Sequence, residues 1–252
     1  MFSNIKEDFK QGFVSSLRID LLFIAAKNNL KLRKLLWKIF IYNFLLHILP
    51  LILMQGLFQT IICKAINLFS MGFHLLHYMD LINVVAKYSN KTPESESISS
   101  VELISLSITM AIYQSIMYFT TKIIEFIFSG NIYIVGLLVN FFILNLYHSF
   151  YFFNNLYQYK KIEIFNRIDL YEKLWPYYMG FGMISSLIYL MNPQFWLLAL
   201  YNIVVCVQIT IPFLIKMKYP PPVAVYEKIN LRMFSYLMGR SLDLCGFVLN
   251  IL

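Results

Sequence analysis

Charge is scarce in this chain. Only 13% of its 252 residues are Asp, Glu, Lys or Arg, against 59% apolar. Soluble domains carry about 25% charged residues, and a fold of this size cannot bury so much apolar surface within itself, so an integral membrane protein is expected. Cysteine is equally thin: Cys63, Cys206 and Cys245 lie far apart, without CxxC or other metal spacing, which excludes a disulfide framework. No glycine loop for phosphate, nucleophile elbow or paired catalytic carboxylate motif is present, so the chain is read as a non-enzyme that needs no cofactor. Aromatics are plentiful at 17%, but the basic residues flank apolar spans instead of interleaving with them, and no nucleic-acid partner is expected.

What the chain has is six apolar stretches, roughly 35–62, 65–86, 103–128, 131–153, 177–191 and 194–215. They come in pairs, with very short connections at Cys63-Lys64, Ser129-Gly130-Asn131 and Met191-Asn192-Pro193. Short turns make antiparallel neighbours. The predicted fold class is therefore all-α: a polytopic membrane protein of about six segments arranged as three helical hairpins, with the lipid bilayer as its first partner. Of the 21 Lys and Arg residues, 17 fall in the arm to residue 34 and in the long connections 87–102, 154–176 and 216–232, which places the N-terminus and these loops in the cytosol. Spanning about 30 Å of hydrocarbon takes roughly 20 helical residues, so 177–191 is short, and both it and 65–86 are candidates for re-entrant segments.

Three regions follow: a basic, partly amphipathic arm at 1–34, a membrane domain of three helical hairpins at 35–215, and a cytosolic loop with a C-terminal interfacial helix at 216–252. In the arm, Phe9, Phe13, Leu17, Leu21 and Ile24 recur at helical spacing with Lys6, Lys10 and Arg18 off that row. This fits either a helix on the membrane surface or a packed first helix. The first apolar segment begins late and is long, so an uncleaved first hairpin is expected to start membrane entry.

Polar groups within the apolar stretches are the candidate functional side chains. His74, His77 and Asp80, spaced by three, share one arc of a helix; without a visible fourth ligand no metal is assigned, and they are read as hydrogen-bonding groups in a half-buried hairpin. Lys122 and Glu125 form an i, i+3 pair inside the third segment and are expected to neutralise each other. Asn140, Asn145 and His148 in the fourth are expected to join helices or line a path. The polar loop after residue 87 carries Thr92 and Ser95, which suit phosphorylation, and an Asn90-Lys91-Thr92 sequon usable only from the lumen.

Between the fourth and fifth stretches run Lys160, Ile162-Glu163, Arg167, Glu172-Lys173 and Trp175-Pro176-Tyr177-Tyr178-Met179-Gly180-Phe181-Gly182. Pro176 lacks a backbone donor and forces residue 175 towards extended geometry, so one helix is predicted to stop there and another to begin at the bilayer surface. Trp175, Tyr177 and Tyr178 are predicted at the headgroups, and Gly180 and Gly182 to admit a close helix.

This run resembles the motif of the etoposide-induced protein 2.4 family, relatives of the bacterial sulfate permease CysZ, with weaker similarity over most of the chain. One departure is Asn154, where the family tends to carry an acidic residue. The resemblance implies a non-enzymatic, multi-pass protein of the endoplasmic-reticulum membrane, acting in autophagy and growth or apoptosis control with protein partners, its oligomeric state open. The alternative it implies is a CysZ-like anion (sulfate) permease or channel, although no clustered intramembrane arginines are present to pair with a sulfate.

Overall fold

A computed structural model describes residues 2–48, 77–89, 133–160, 162–191 and 195–215, together with positions 119, 123, 126 and 127. Among these residues every regular element is a helix and none is a strand. His74, Thr92, Ser95, Lys122, Glu125 and the region 216–252 lie outside the described residues.

The arm folds as two helices. Helix α1 (Phe2–Ser16) ends where the Ser16 hydroxyl turns back onto the Phe13 carbonyl at 2.7 Å, and α2 (Ile19–Asn28) starts after Arg18, whose guanidinium holds Asp20 at 3.0 Å. The break at Leu17 and Arg18 corrects the single apolar row expected from Phe9 to Ile24. Gly12, Ser16 and Ala25, all small, are buried beside Leu22, while Phe9, Phe13 and Leu21 are half-buried and Leu17 and Ile24 are about half exposed. The reason is size: close helix approach selects small residues at the contact, which a hydrophobic-period reading passes over.

Helix α3 (Leu30–Asn43) opens on Asn29, whose side-chain oxygen accepts from the Leu32 amide at 3.0 Å, and runs into a π-helical turn at Phe44–Ile48. This N-cap satisfies one of the orphan donors of the first turn and starts the helix five residues before the apolar stretch. Lys31, Lys34 and Lys38 therefore lie on one helix. Residues 77–88 form α4.

Helix α5 (Tyr133–Tyr159) is 27 residues long, and its portion Ile134–Tyr159 is apolar and long enough to cross a membrane. Its C-terminal half is core, with Leu146, Phe152, Phe153 and Leu156 fully buried, whereas Ile134 and Leu138 near its start are 72% and 62% exposed. Short α6 (Ile164–Lys173) follows, then α7 (Trp175–Leu190) and α8 (Phe195–Leu214), which contains Pro212. Helix α7 packs along α1 on one side and along α5 on the other, and α8 closes against α2, α3, α5 and α7.

Candidate functional site

The motif of residues 160–182 builds the joint where α5, α6 and α7 meet α1. Leu174 is both the last cap of α6 and the first cap of α7, and Pro176 sits in the first turn of α7. The break thus falls one residue earlier than expected, with Trp175 already helical. Proline is tolerated there because first-turn N–H groups lack intrahelical acceptors in any case, and its fixed φ suits the helix.

Helix α7 is pressed from two sides, and Gly-Phe-Gly is what allows it. At 3.6 residues per turn, positions 180 and 182 point about 200° apart. A Cβ on Gly180 would stand 2.1 Å from the Phe9 carbonyl oxygen of α1, and one on Gly182 would stand 1.9 Å from the Asn145 carbonyl oxygen of α5. Gly12 completes the first crossing, its Cβ position lying 1.9 Å from the Tyr177 carbonyl oxygen. Phe181, fully buried between the glycines, meets Phe153 edge-on at 4.8 Å.

The tyrosines of the motif are interior, a correction to their expected place at the headgroups. Tyr178 is fully buried, stacks on Tyr171 at 4.0 Å and shares a hydroxyl–hydroxyl contact with Tyr157; Tyr177 is 7% exposed. The close crossing explains it: with two glycines removing side-chain thickness, the helices come near enough for their flanking rings to fill the gap. Trp175 is half-buried and leans on Phe142 at 5.9 Å.

Arg167 is 4% exposed, and it is held by two protein acceptors. Its Nε donates to the Ile162 carbonyl at 2.5 Å and its Nη1 to Asn154 Oδ1 at 2.9 Å. Burial lowers the guanidinium from its ordinary range to about 10, still fully charged near neutrality. Asn154 thus offers the buried guanidinium a neutral acceptor. Glu172 is buried, Glu163 is exposed at the start of α6 with Asn166 at 3.5 Å, and Lys160 is half-buried with its ammonium lowered by desolvation.

Further along α5, a polar network ties three helices. His148 Nδ1 lies 2.9 Å from both the Leu144 carbonyl and the Ser186 hydroxyl, and Nε2 lies 2.8 Å from the Tyr201 hydroxyl. The Leu144 carbonyl can only accept, which puts the proton of a neutral ring on Nδ1 and makes Nε2 the acceptor from Tyr201. Ser186 donates onward to the Gly182 carbonyl at 3.1 Å, and Ser185 donates to Gln208 of α8. Asn140 and Asn145 are also buried. The side-chain amide of Asn145 has no hydrogen-bond partner among the described residues. Sequence reasoning found His148 but missed Ser185, Ser186, Tyr201 and Gln208; the available signal was a polar side chain inside each of the last two apolar stretches.

His77 and Asp80 lie on α4. The His77 ring approaches Tyr42 at 6.1 Å, while Asp80 is exposed in a cleft of about 670 Å³ between α3 and α4 that also holds Lys31, Lys34, Lys38, Asn83, Lys87 and Tyr159. Among the described residues no group of three His, Cys, Asp or Glu side chains comes together as a metal site.

The chain is 38% identical over 246 residues to the uncharacterised protein L211 of Acanthamoeba polyphaga mimivirus, a match covering 94% of this chain and 93% of that protein. No family model and no solved structure matches the chain.

Proposed function

The chain belongs to the same family as this mimivirus protein, and we propose that it is a non-enzymatic, multi-pass membrane protein of the endoplasmic reticulum that acts as a helical scaffold in autophagy and in growth or apoptosis control. The cellular role rests on the motif's resemblance to the etoposide-induced family. Membrane insertion is supported by the composition, by the span Ile134–Tyr159, and by an exposed apolar surface at Phe119, Ile123, Phe126, Ile127, Ile134 and Leu138. Six segments in three hairpins, with cytosolic N-terminus and long loops, complete the proposed topology.

The observation that carries the scaffold reading is what the motif side chains do. Arg167, Tyr177, Tyr178, Gly180 and Gly182 are all buried in the joint and engaged with protein, which is how residues behave when they set helix geometry. The anion-permease alternative draws on a different observation, the cleft that gathers four lysines. Autophagic flux in cells lacking the endogenous etoposide-induced protein tests the first reading: the full chain is expected to restore flux, and a chain that accumulates in the reticulum membrane without restoring it would contradict the role. Sulfate flux in proteoliposomes tests the second. The topology is read at Asn90, which stays unglycosylated in microsomes if residues 87–102 are cytosolic.

A further inference from the structure

The cleft between α3 and α4 is assembled from parts that lie apart in the chain. Lys31, Lys34 and Lys38 are spaced i, i+3 and i+7 along α3, so they line one face. Asp80, Asn83 and Lys87 are spaced i, i+3 and i+7 along α4 and line the facing wall, and Tyr159 at the end of α5 closes one side. Four ammonium groups meet a single carboxylate, a net charge of +3. All four lysines are exposed, and none has an ion-pair or hydrogen-bond partner among the described residues. A volume of about 670 Å³ falls within the size range of small-molecule sites.

A second feature shares two of these lysines. Lys34 and Lys38 also border an apolar groove of about 470 Å³ along the outer side of α3, lined by Leu30, Trp37, Ile41 and Tyr42 with Arg33 at its edge. Leu30, Trp37 and Ile41 are 55%, 59% and 50% exposed and follow one another at i, i+7 and i+11. The same two cations therefore stand between a polar, positively charged cavity and an open apolar track. A free inorganic anion would have use for the cavity alone. An amphiphile with a multiply charged head and a hydrocarbon chain would occupy both, with the long stems of Lys34 and Lys38 lying along the apolar part and their ammonium groups reaching the head.

We propose that this cleft binds an anionic phospholipid whose headgroup carries at least one phosphate monoester beside its phosphodiester, with Lys31, Lys34, Lys38 and Lys87 contacting the phosphates and the acyl chain running over Leu30, Trp37 and Ile41. The charge argues for the multiple phosphates. A singly charged headgroup leaves most of the +3 unbalanced, whereas a phosphodiester with one monoester carries about −2.5 to −3 and balances it. Asp80 sets the polarity of one end and offers an acceptor to headgroup hydroxyls. The site makes no use of the autophagy reading or of the sidedness of the loops, and its test in detergent is independent of both.

The experiment is thermal unfolding of the purified full chain in detergent, titrated with four probes: a short-chain phosphatidylinositol bisphosphate, phosphatidylcholine of the same chain length, the soluble inositol trisphosphate headgroup, and sodium sulfate or phosphate at matched ionic strength. The bisphosphate lipid is expected to raise the unfolding temperature saturably, the headgroup alone to do so only at higher concentration, and phosphatidylcholine and the inorganic anions to do nothing. Lys34→Gln and Lys38→Gln should each weaken half-saturation on the order of fivefold, from the ~1 kcal/mol that a lysine contributes at an anionic lipid surface. Trp37→Ala should weaken the lipid response and leave the headgroup response in place. Lys34→Arg with Lys38→Arg keeps the charge and should keep binding, which controls for folding. A full response to sulfate or phosphate alone would overturn the proposal in favour of a free-anion site, and parental half-saturation in the Lys→Gln variants would overturn the placement.

Discussion

Gly12 and Gly180 sit at one crossing and each faces the other helix's backbone: the Cβ position of Gly12 lies 1.9 Å from the Tyr177 carbonyl oxygen, and that of Gly180 lies 2.1 Å from the Phe9 carbonyl oxygen. Neither contact is with a side-chain tip that could swing aside. Helix α1 is thereby locked to α7 at backbone distance, while Gly182 locks the opposite face of α7 to α5 at Asn145. A helix gripped on both faces has little freedom to rotate, and the run Tyr177 to Gly182 is the segment being gripped.

The Arg167 cradle makes a prediction about its neutral partner. Asn154→Ala removes the acceptor 2.9 Å from a buried guanidinium and should cost about 1.5–3 kcal/mol, the range for hydrogen bonds to charged groups. Asn154→Asp keeps an acceptor in place and adds an opposite charge, so it should keep parental stability or exceed it near neutrality. Arg167 itself adds no slope between pH 6 and 9. Its folded value of about 10 lies below its ordinary one, so the folded state binds the proton less firmly, and the strain of burying the charge is relieved only as pH rises above about 10. Thermal unfolding across that pH range checks each statement, and an unaffected Asn154→Ala would remove the cradle from the account.

The His148 network predicts coupling. Tyr201→Phe leaves His148 Nε2 without its donor and should cost about 0.5–1.5 kcal/mol, and Ser186→Ala should cost a similar amount on the Nδ1 side. In a His148→Leu background the same substitutions should cost measurably less, because the partner that made them expensive is gone. Strict additivity in this double-mutant cycle would mean that the three groups are neighbours without being a network.

Asn145 should be replaceable at no loss. Its amide is fully buried with no hydrogen-bond partner among the described residues, while the backbone carbonyl of the same residue forms the Gly182 contact. Asn145→Leu keeps the backbone and removes an unmet polar group, so the variant should unfold at or above the parental temperature. A marked loss, with the fold otherwise intact, would show that the amide serves a ligand or water in the working protein.

The parts of this molecule that were legible in the sequence were the ones written locally. The helices α5 and α8 follow from long apolar stretches, and the α6–α7 boundary from Pro176. Gly180 and Gly182 invite attention because they sit in a run of bulky residues. Gly12, which shares the crossing of Gly180, does not, since it lies in a charged arm where a glycine carries no periodic signal, and only the folded crossing gives it meaning. The small buried residues of α1, Gly12 and Ser16, were passed over for the same reason. The lysine cleft was hidden by a boundary: Lys31 and Lys34 read as the end of a basic arm, Lys38 as the start of a span, and Lys87 as part of a loop. The tyrosines of the motif were misplaced because an aromatic near an expected headgroup level reads as an anchor, whereas here the glycine crossings draw those rings inward.

The central claim is that α7 is clamped between α1 and α5 by backbone-to-backbone contact at Gly12, Gly180 and Gly182. Thermal unfolding of Gly12→Ala, Gly180→Ala and Gly182→Ala in detergent, beside Met179→Leu as a volume-conserving control, tests it most directly. Each alanine should destabilise by about 1–3 kcal/mol, as overpacking does, which is roughly 2–4 °C per kcal/mol for a chain of this size, and Met179→Leu should be nearly silent. Gly12→Ala and Gly180→Ala combined should cost less than their sum, because the first already forces open the crossing that the second would crowd. Alanine variants that all unfold at the parental temperature would contradict the clamp.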